Sequence, residues 1–302
     1  MTSALHATLH AALRTALPLF LALVLPARAA PGMLPAAPDA VSFRVAQYNI
    51  RVAAAADEKS GNGWDIRKTP LAQLITRHDF DIVGTQEGNA RQLEDLDALL
   101  PAYARTAAPY AGKRGDSHNC AIYYKRALFE RITTGTFWFS ETPDEPSIGW
   151  DATDRRICHW AKLREKKSGR EFYFLTAHFY WKNVTARQNS GPLMVRKIKE
   201  IAGDAPVILT GDLNSKPETR QILAIKKILA DAYDTTQTPR KGPDGTGFPG
   251  GVFQGKPGAR IDYILTSPHF DVLDYLVLTD TYNGDHHPSD HLPVTTRLTL
   301  KK

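Results

Sequence analysis

The chain has 302 residues, 42% apolar and 23% charged, with 38 basic and 32 acidic side chains and a formal net charge of +6. That balance excludes a disordered chain and a multi-span membrane protein, and it leaves enough apolar residues for one large core. Two cysteines are too few for a disulfide-stapled scaffold and, without histidines at ligand spacing, do not make a structural zinc site.

Residues 1–30 carry no acidic group, and a mostly apolar run from Ala16 to Leu25 leads into Pro26-Ala27-Arg28-Ala29. The run is too short to span a bilayer, and small residues at 27 and 29 match the cleavage pattern of a secretory signal. The chain therefore reads as a signal peptide over 1–29, a flexible tail over 30–42 and one domain over 43–302. The expected location is periplasmic or secreted, soluble after cleavage. Loss of Arg14 and Arg28 leaves a net charge of about +4, which suits an anionic partner without demanding a broad basic groove. Cys120 and Cys158 fall in predicted strands. Export permits a disulfide between them, and burial permits two free thiols.

Phe43 to Ile50 alternates apolar and polar residues, the period of a half-buried strand. After a polar loop, residues 66–77 read as a helix in which Pro70 is tolerated only near the start. Asp81 to Gly84 reads as a buried strand ending at Gln86-Glu87. Leu93, Leu96 and Leu100 mark one face of a helix over 90–100, stopped by Pro101. Strands follow at 120–125, 136–140, 158–164 and 171–178, the last two joined by the turn Lys167-Ser168-Gly169. The loop 141–156 is rich in Pro, Asp and Trp.

Helical spacing returns at about 193–202 and 218–230, on either side of Val207-Ile208-Leu209. That apolar run is broken by Gly211, and Asp212 and Asn214 follow. Side chains two apart on a strand point the same way, so a carboxylate and an amide share one face. Residues 235–259 are loop, rich in Gly and Pro, with strands expected at 260–265, near 275–279 and at 294–300. The pattern is β-rich α/β, and two packed sheets with helices outside would bury its many half-apolar strands.

Polar groups suited to phosphate chemistry flank the apolar strands: Asn49, Glu87, His178, Asp212 with Asn214, and Asp290-His291. Each has a plainer use. Asn49 can cap a turn, Glu87 can cap the helix after it, and a lone histidine such as His178 is commonly a hydrogen-bonded core residue. Asp262, inside an apolar run, must be paired, and a histidine is a natural partner. The oxygen-rich set favours magnesium or manganese over zinc. Arg67, Arg155, Arg156, Lys182 and Trp181 are candidates for substrate contacts, since guanidinium groups grip phosphate with two donors and an indole offers a stacking face.

Tyr48-Asn49-Ile50-Arg51, Thr85-Gln86-Glu87, Thr176-Ala177-His178, Gly211-Asp212-Leu213-Asn214, Arg260-Ile261-Asp262-Tyr263 and Ser289-Asp290-His291 occur in this order. On them, residues 43–300 resemble the endonuclease/exonuclease/phosphatase (deoxyribonuclease I-like) superfamily. Trp64-x-x-Arg67-Lys68, the run Thr136–Pro143 and Arg156–Trp160 resemble its bacterial exported group. The resemblance implies a four-layered α/β sandwich, two packed β-sheets flanked by helices. It implies an exported, magnesium-dependent hydrolase of phosphodiesters or phosphomonoesters, with manganese as an alternative ion. Its substrate would be a nucleic acid, a phospholipid head group or a small phosphorylated molecule.

By the same resemblance Glu87 is the main metal ligand, with Asn49 and Asp290 assisting. Asp212 orients or deprotonates the attacking water. Asn214 and His178 donate to phosphate oxygens. His291 binds phosphate or carries a proton, and Asp262 fixes its tautomer. Two positions depart from the family: Tyr180, where many relatives carry Asp, and Ser117-His118-Asn119, where the exported group often carries Gly-Glu. Each removes a carboxylate that would support His178 or the metal. The alternative function is a catalytically weakened domain of the same fold that recognises a phosphate-bearing ligand. Nothing indicates a stable protein partner, and a monomer is expected.

Overall fold

The computed structural model describes residues 41–112 and 118–302. The expected signal peptide and residues 30–40 of the expected tail lie outside them. The tail ends earlier than expected, because Val41 and Ser42 already belong to the first strand.

The first half of the chain runs β1 (Val41–Asn49), α1 (Ala55–Lys59), α2 (Trp64–Arg77), β2 (Ile82–Gln86), α3 (Ala90–Leu99), β3 (Tyr103–Pro109), β4 (Asn119–Lys125) and β5 (Phe129–Trp138). It continues with β6 (Ile157–Glu165), β7 (Glu171–His178), α4 (Val184–Ala202), β8 (Val207–Asp212), α5 (Arg220–Ile225), β9 (Ala230–Asp231) and α6 (Ala232–Thr235). The last elements are β10 (Asp262–Thr266), β11 (Phe270–Val272), β12 (Leu276–Val277) and β13 (Val294–Leu300). One sheet has the order β11-β13-β1-β2-β4-β3, with β12 beside β13, and the other β5-β6-β7-β8-β10-β9. Helices α2 and α3 pack on the outer face of the first sheet, and α4 and α5 on that of the second. This is the four-layered α/β sandwich.

Period two explains both cores. On β1, Phe43 and Val45 face the second sheet, while Ala46 and Tyr48 face the helices. On β7, Phe172 and Phe174 face inward, while Leu175 and Ala177 face α4. The inward row then changes character along each strand: Phe43-Val45-Gln47-Asn49, Ile82-Gly84-Gln86, Phe172-Phe174-Thr176-His178 and Ile208-Thr210-Asp212. All four begin apolar and end polar. At Gly84 the two sheets approach closely, since a Cβ there would collide with Thr210 Oγ1.

Several elements differ from expectation for local reasons. Helix α2 starts at Trp64, so Pro70 lies in its interior. Ile66, whose carbonyl thereby loses its usual partner, is on the exposed side, where water can serve. Asn89 caps α3 in a box with Gln92, so Glu87 is free of that duty. Helix α4 begins at Val184, well before its apolar spacing, because the Asp151 carboxylate accepts from Thr185 N and Ala186 N. Helix α5 covers only 220–225 of the expected 218–230. Strand β5 starts at Phe129 and bulges between Arg131 and Thr133, which hides its period. Asp262 opens β10 rather than lying within the strand. Cys120 and Cys158 are buried free thiols.

Candidate active site

Parallel pairing puts the ends of β1, β2, β7 and β8 at one edge of the sandwich, with Asn49 level with Gln86 and His178 level with Asp212. Strand β10 runs antiparallel to β8, so its first residue, Asp262, pairs with the last of β8, Asp212. Strand β13 runs antiparallel to β1, which brings Asp290-His291 to the same edge. The topology thus gathers residues that are far apart in sequence.

Asn49 Nδ2 donates to Glu87 Oε1 and Asp212 Oδ2, both at 3.0 Å. His178 Nε2 lies 3.3 Å and His291 Nε2 3.7 Å from the same Asp212 Oδ2. Asp262 Oδ2 is 2.8 Å from His291 Nδ1, and Asp262 Oδ1 accepts from Gln47 Nε2 at 3.1 Å. Gln47 and Gln86 exchange amide hydrogen bonds, and Gln86 also donates to Thr176 Oγ1. Behind the carboxylates, then, lies a satisfied polar layer, as a buried site requires.

Glu87, Arg51 and Asn214 all adopt the left-handed backbone conformation, at φ of 70°, 54° and 44°. Such strain in non-glycine residues clusters where surrounding structure holds a functional side chain in place. Asp212 Oδ1 helps by accepting from Asn214 N, and Asn214 Nδ2 donates to Phe179 O. Ser289 Oγ donates to Asn49 O and ties the Asp290 loop to β1.

The charges are strongly coupled. Burial pushes the Glu87 carboxyl up, but His178, the Asn49 amide, His291 and His118 outweigh it and hold the group below the ordinary carboxylate range. Burial likewise raises Asp212, yet His291, His178 and Asn49 pull it well below that range. Asp290 moves the other way, raised by burial and by the negative Glu87 despite His291, Arg51 and Arg67. His291 stays protonated well above its usual range, because Asp262 and Asp212 outweigh burial.

Ligand atoms of Glu87, His178 and Asp212 lie within 4.8 Å of one another, as do those of Asp212, Asp262 and His291. Glu87 and Asp290 line one pocket, and the negative charge of two carboxylates gathered there is what a hard cation offsets. The oxygen donors of Glu87 and Asp290 suit such an ion. Asn49, expected to assist the metal, lies against both carboxylates, with its amide nitrogen on Glu87 and Asp212 and its oxygen accepting from Arg51 N at 3.0 Å.

A pocket of about 640 Å³ opens on this edge, walled by Glu87, His178, Asp212, Asn214, Asp290 and His291. Trp181 and Arg156 also line it, as does Gly247, whose loop bridges His291. Arg67 does not. It is fully buried, and its guanidinium donates to the backbone carbonyls of Asn62, Ile50, Pro288, Arg51 and Val52. Every donor is used, which corrects the expectation of a substrate contact: Arg67 ties the Asn49 and Asp290 loops together.

Three residues at the site went unassigned in the sequence. Arg51 Nη1 reaches Asp290 Oδ2 at 3.2 Å and lines the pocket. Its place beside Asn49 in a motif was the available signal. Gln47 sits on the inward row of β1, two residues before Asn49. Tyr110 OH lies 2.7 Å from His178 Nδ1. Because the Asp212 carboxylate only accepts, His178 Nε2 carries a proton, and Nδ1 is hydrogen-bonded to the Tyr110 hydroxyl. The partner of His178 Nδ1 is thus a phenol from just past the end of β3, with nothing local in the sequence to reveal it. Tyr180 itself bonds Thr153 and lies under Arg156. In the altered 117–119 stretch, His118 lines the pocket, Asn119 Nδ2 donates to Gly88 O, and Ser117 lies outside the described residues.

The family model for the endonuclease/exonuclease/phosphatase family matches residues 46–291. A solved structure of such a family protein from Bacteroides thetaiotaomicron is 38% identical, with 87% of this chain and 99% of that one covered at a TM-score of 0.82. A mannosyl-6-phosphatase from the same organism is also 38% identical, with 85% of this chain and 99% of that one covered at a TM-score of 0.80. Nocturnin of Drosophila melanogaster is 27% identical over 167 residues, 51% of this chain and 24% of that protein. This chain therefore spans about a quarter of that curated relative's length.

Proposed function

The chain belongs to the endonuclease/exonuclease/phosphatase family, and from that premise we propose that it is an exported metal-dependent phosphoesterase. It hydrolyses its ester by direct attack of water. One observation carries the reading: Asn49, His178 and His291 converge on one oxygen of a buried, ionised Asp212 at the rim of a pocket that also holds Glu87 and Asp290. A bound magnesium ion, held by Glu87 and Asp290, would supply Lewis-acid polarisation of a phosphoryl oxygen.

The chain's own groups do the rest. Asp212, kept ionised, orients the attacking water and takes its proton. His178 donates from Nε2 to a non-bridging oxygen, its ring set by Tyr110. Asn214 has one amide hydrogen beyond the one given to Phe179 O, and it donates that to another oxygen as charge builds. His291, anchored at Nδ1 by Asp262, presents a protonated Nε2 to the phosphate. The water oxygen bonds to phosphorus, the ester P–O bond breaks, and the leaving alkoxide collects a proton.

A compact pocket and a modest charge favour a small phosphorylated molecule over a polynucleotide, which needs a long basic track. The similar mannosyl-6-phosphatase supports the same choice. The test is hydrolysis of plasmid DNA, RNA, sphingomyelin, inositol phosphates, hexose 6-phosphates and bis-p-nitrophenyl phosphate, with magnesium, manganese or EDTA. Turnover that needs both metal and Asp212 is the expected result. Binding of a phosphate ester without turnover, by folded metal-loaded protein, would replace this reading with a binding module.

A further inference from the structure

Beside the main pocket lies a second cavity of about 450 Å³, within the roughly 300–1,000 Å³ of small-molecule sites. The two share His118, Arg156 and Trp181, so they are contiguous. The side pocket adds Ile148, Asp154 and Arg155.

Its arginines are incompletely satisfied. Arg156 is only 9% exposed, and its Nη1 bonds Arg155 O and Asp154, yet its Nε is buried with no acceptor. Arg155 has no side-chain hydrogen bond or ion pair among the described residues, and its Nε is also buried without an acceptor. An unpaired N–H is unfavourable, so the Arg155 guanidinium, which lines the side pocket without a protein acceptor, is a donor available to ligand oxygens. The Trp181 indole, which lines the same pocket, is 58% exposed. Asp154, about half exposed, adds an acceptor.

Donors, an acceptor and an aromatic face together fit one chemistry. Vicinal hydroxyls both give and accept hydrogen bonds, and the C–H face of a sugar ring lies flat on an indole. A polynucleotide brings a phosphate with every nucleotide and calls for an uncompensated basic wall, but here Asp154 pairs with Arg156. A lipid chain calls for a continuous apolar surface, and here Asp154, Arg155 and Arg156 interrupt it.

We propose that the side pocket is a leaving-group subsite that takes the carbohydrate ring of a phosphosugar, ring face on Trp181 and hydroxyls on Arg155 and Arg156. The proposal rests on the phosphoesterase reading and names its substrate class. Loss of Arg155 then removes bonds to the sugar while the phosphoryl machinery stays in place.

Steady-state kinetics of the metal-loaded full chain test it, with hexose 6-phosphates, nucleoside monophosphates and p-nitrophenyl phosphate compared for wild type, Arg155→Ala and Trp181→Ala. For Arg155→Ala, the ratio of kcat/KM on the best hexose 6-phosphate to that on p-nitrophenyl phosphate should fall about tenfold or more, mostly through KM. Trp181→Ala should raise KM for the sugar ester as well. Equal losses on both esters, or none, would overturn the subsite and leave the phosphoesterase intact. A wild-type preference for nucleoside monophosphates would hand the pocket to a nucleobase. Hydrolysis of no ester by folded, metal-loaded wild type would overturn the phosphoesterase reading itself, and the subsite with it.

Discussion

The two ends of the layer between the sheets share strands but not chemistry. At one end Phe43, Phe129, Phe172 and Phe270 pack ring against ring, with centroids 5.1–6.4 Å apart. At the other, the same rows of β1, β2, β7 and β8 present Asn49, Gln86, His178 and Asp212. The difference teaches how a rigid site is made. The apolar end supplies the stability, through burial of large aromatic area. The polar end carries groups that solvent would otherwise hold, each fixed by a neighbour instead. If that division is right, substitutions should separate stability from turnover according to their position along the strands.

The largest effect belongs to the apolar end. Phe172→Ala should cost about 3–5 kcal/mol of unfolding free energy, read as a lower urea midpoint, because its stacked neighbours cannot close the cavity. Turnover per folded molecule should change little. A large loss of turnover in folded Phe172→Ala would break the division.

His159 tests the middle of the layer. It is buried on the inward row of β6, with Thr106, Thr134 and Thr136 hydroxyls on its ring nitrogens. Burial drops its pKa to about 4. The folded value lies below the unfolded one, so the unfolded chain binds the extra proton between about pH 4 and 6.5. Stability is therefore complete above pH 6.5 and lost as pH falls toward 4, by about 3 kcal/mol. His159→Gln should flatten that slope in urea titrations. An unchanged slope would place the buried charge elsewhere.

Metal should act on the polar end alone. At about a hundred times its dissociation constant, magnesium should stabilise the fold by about 2.7 kcal/mol, visible as a higher Tm that EDTA reverses. Glu87→Gln should erase most of the shift. An equal shift in that variant would move the ion away from Glu87.

The smallest effect concerns orientation. Tyr110→Phe removes the hydroxyl beside buried His178 Nδ1 and keeps the ring, so turnover should fall about tenfold and unfolding free energy by about 1 kcal/mol. A shifted acid limb of the pH–rate profile would mark the role as positioning. Unchanged rate and profile would show that His178 needs no such support.

Much of this division is written in the sequence, because period two and a change from apolar to polar at each strand end are local properties. The sandwich follows from them, and so does the gathering of Asn49, His178, Asp212 and Asp262, once parallel and antiparallel pairing fix which ends meet. Other features need the third dimension. Arg67 has the chemistry of a phosphate ligand, but five carbonyls from distant loops enclose it. Tyr110 stands 68 residues from His178. Asp151 caps a helix 34 residues on. Glu87 takes a left-handed backbone that its residue type disfavours. Long-range contacts of this kind leave no spacing to read.

The most direct measurement is turnover and unfolding free energy on one preparation of Asp212→Asn, which keeps the side chain's shape and an oxygen for Asn49. The account predicts a loss on the order of a hundredfold or more in metal-dependent phosphate-ester hydrolysis, with stability within about 1 kcal/mol of wild type. Near-normal hydrolysis by this variant would contradict it.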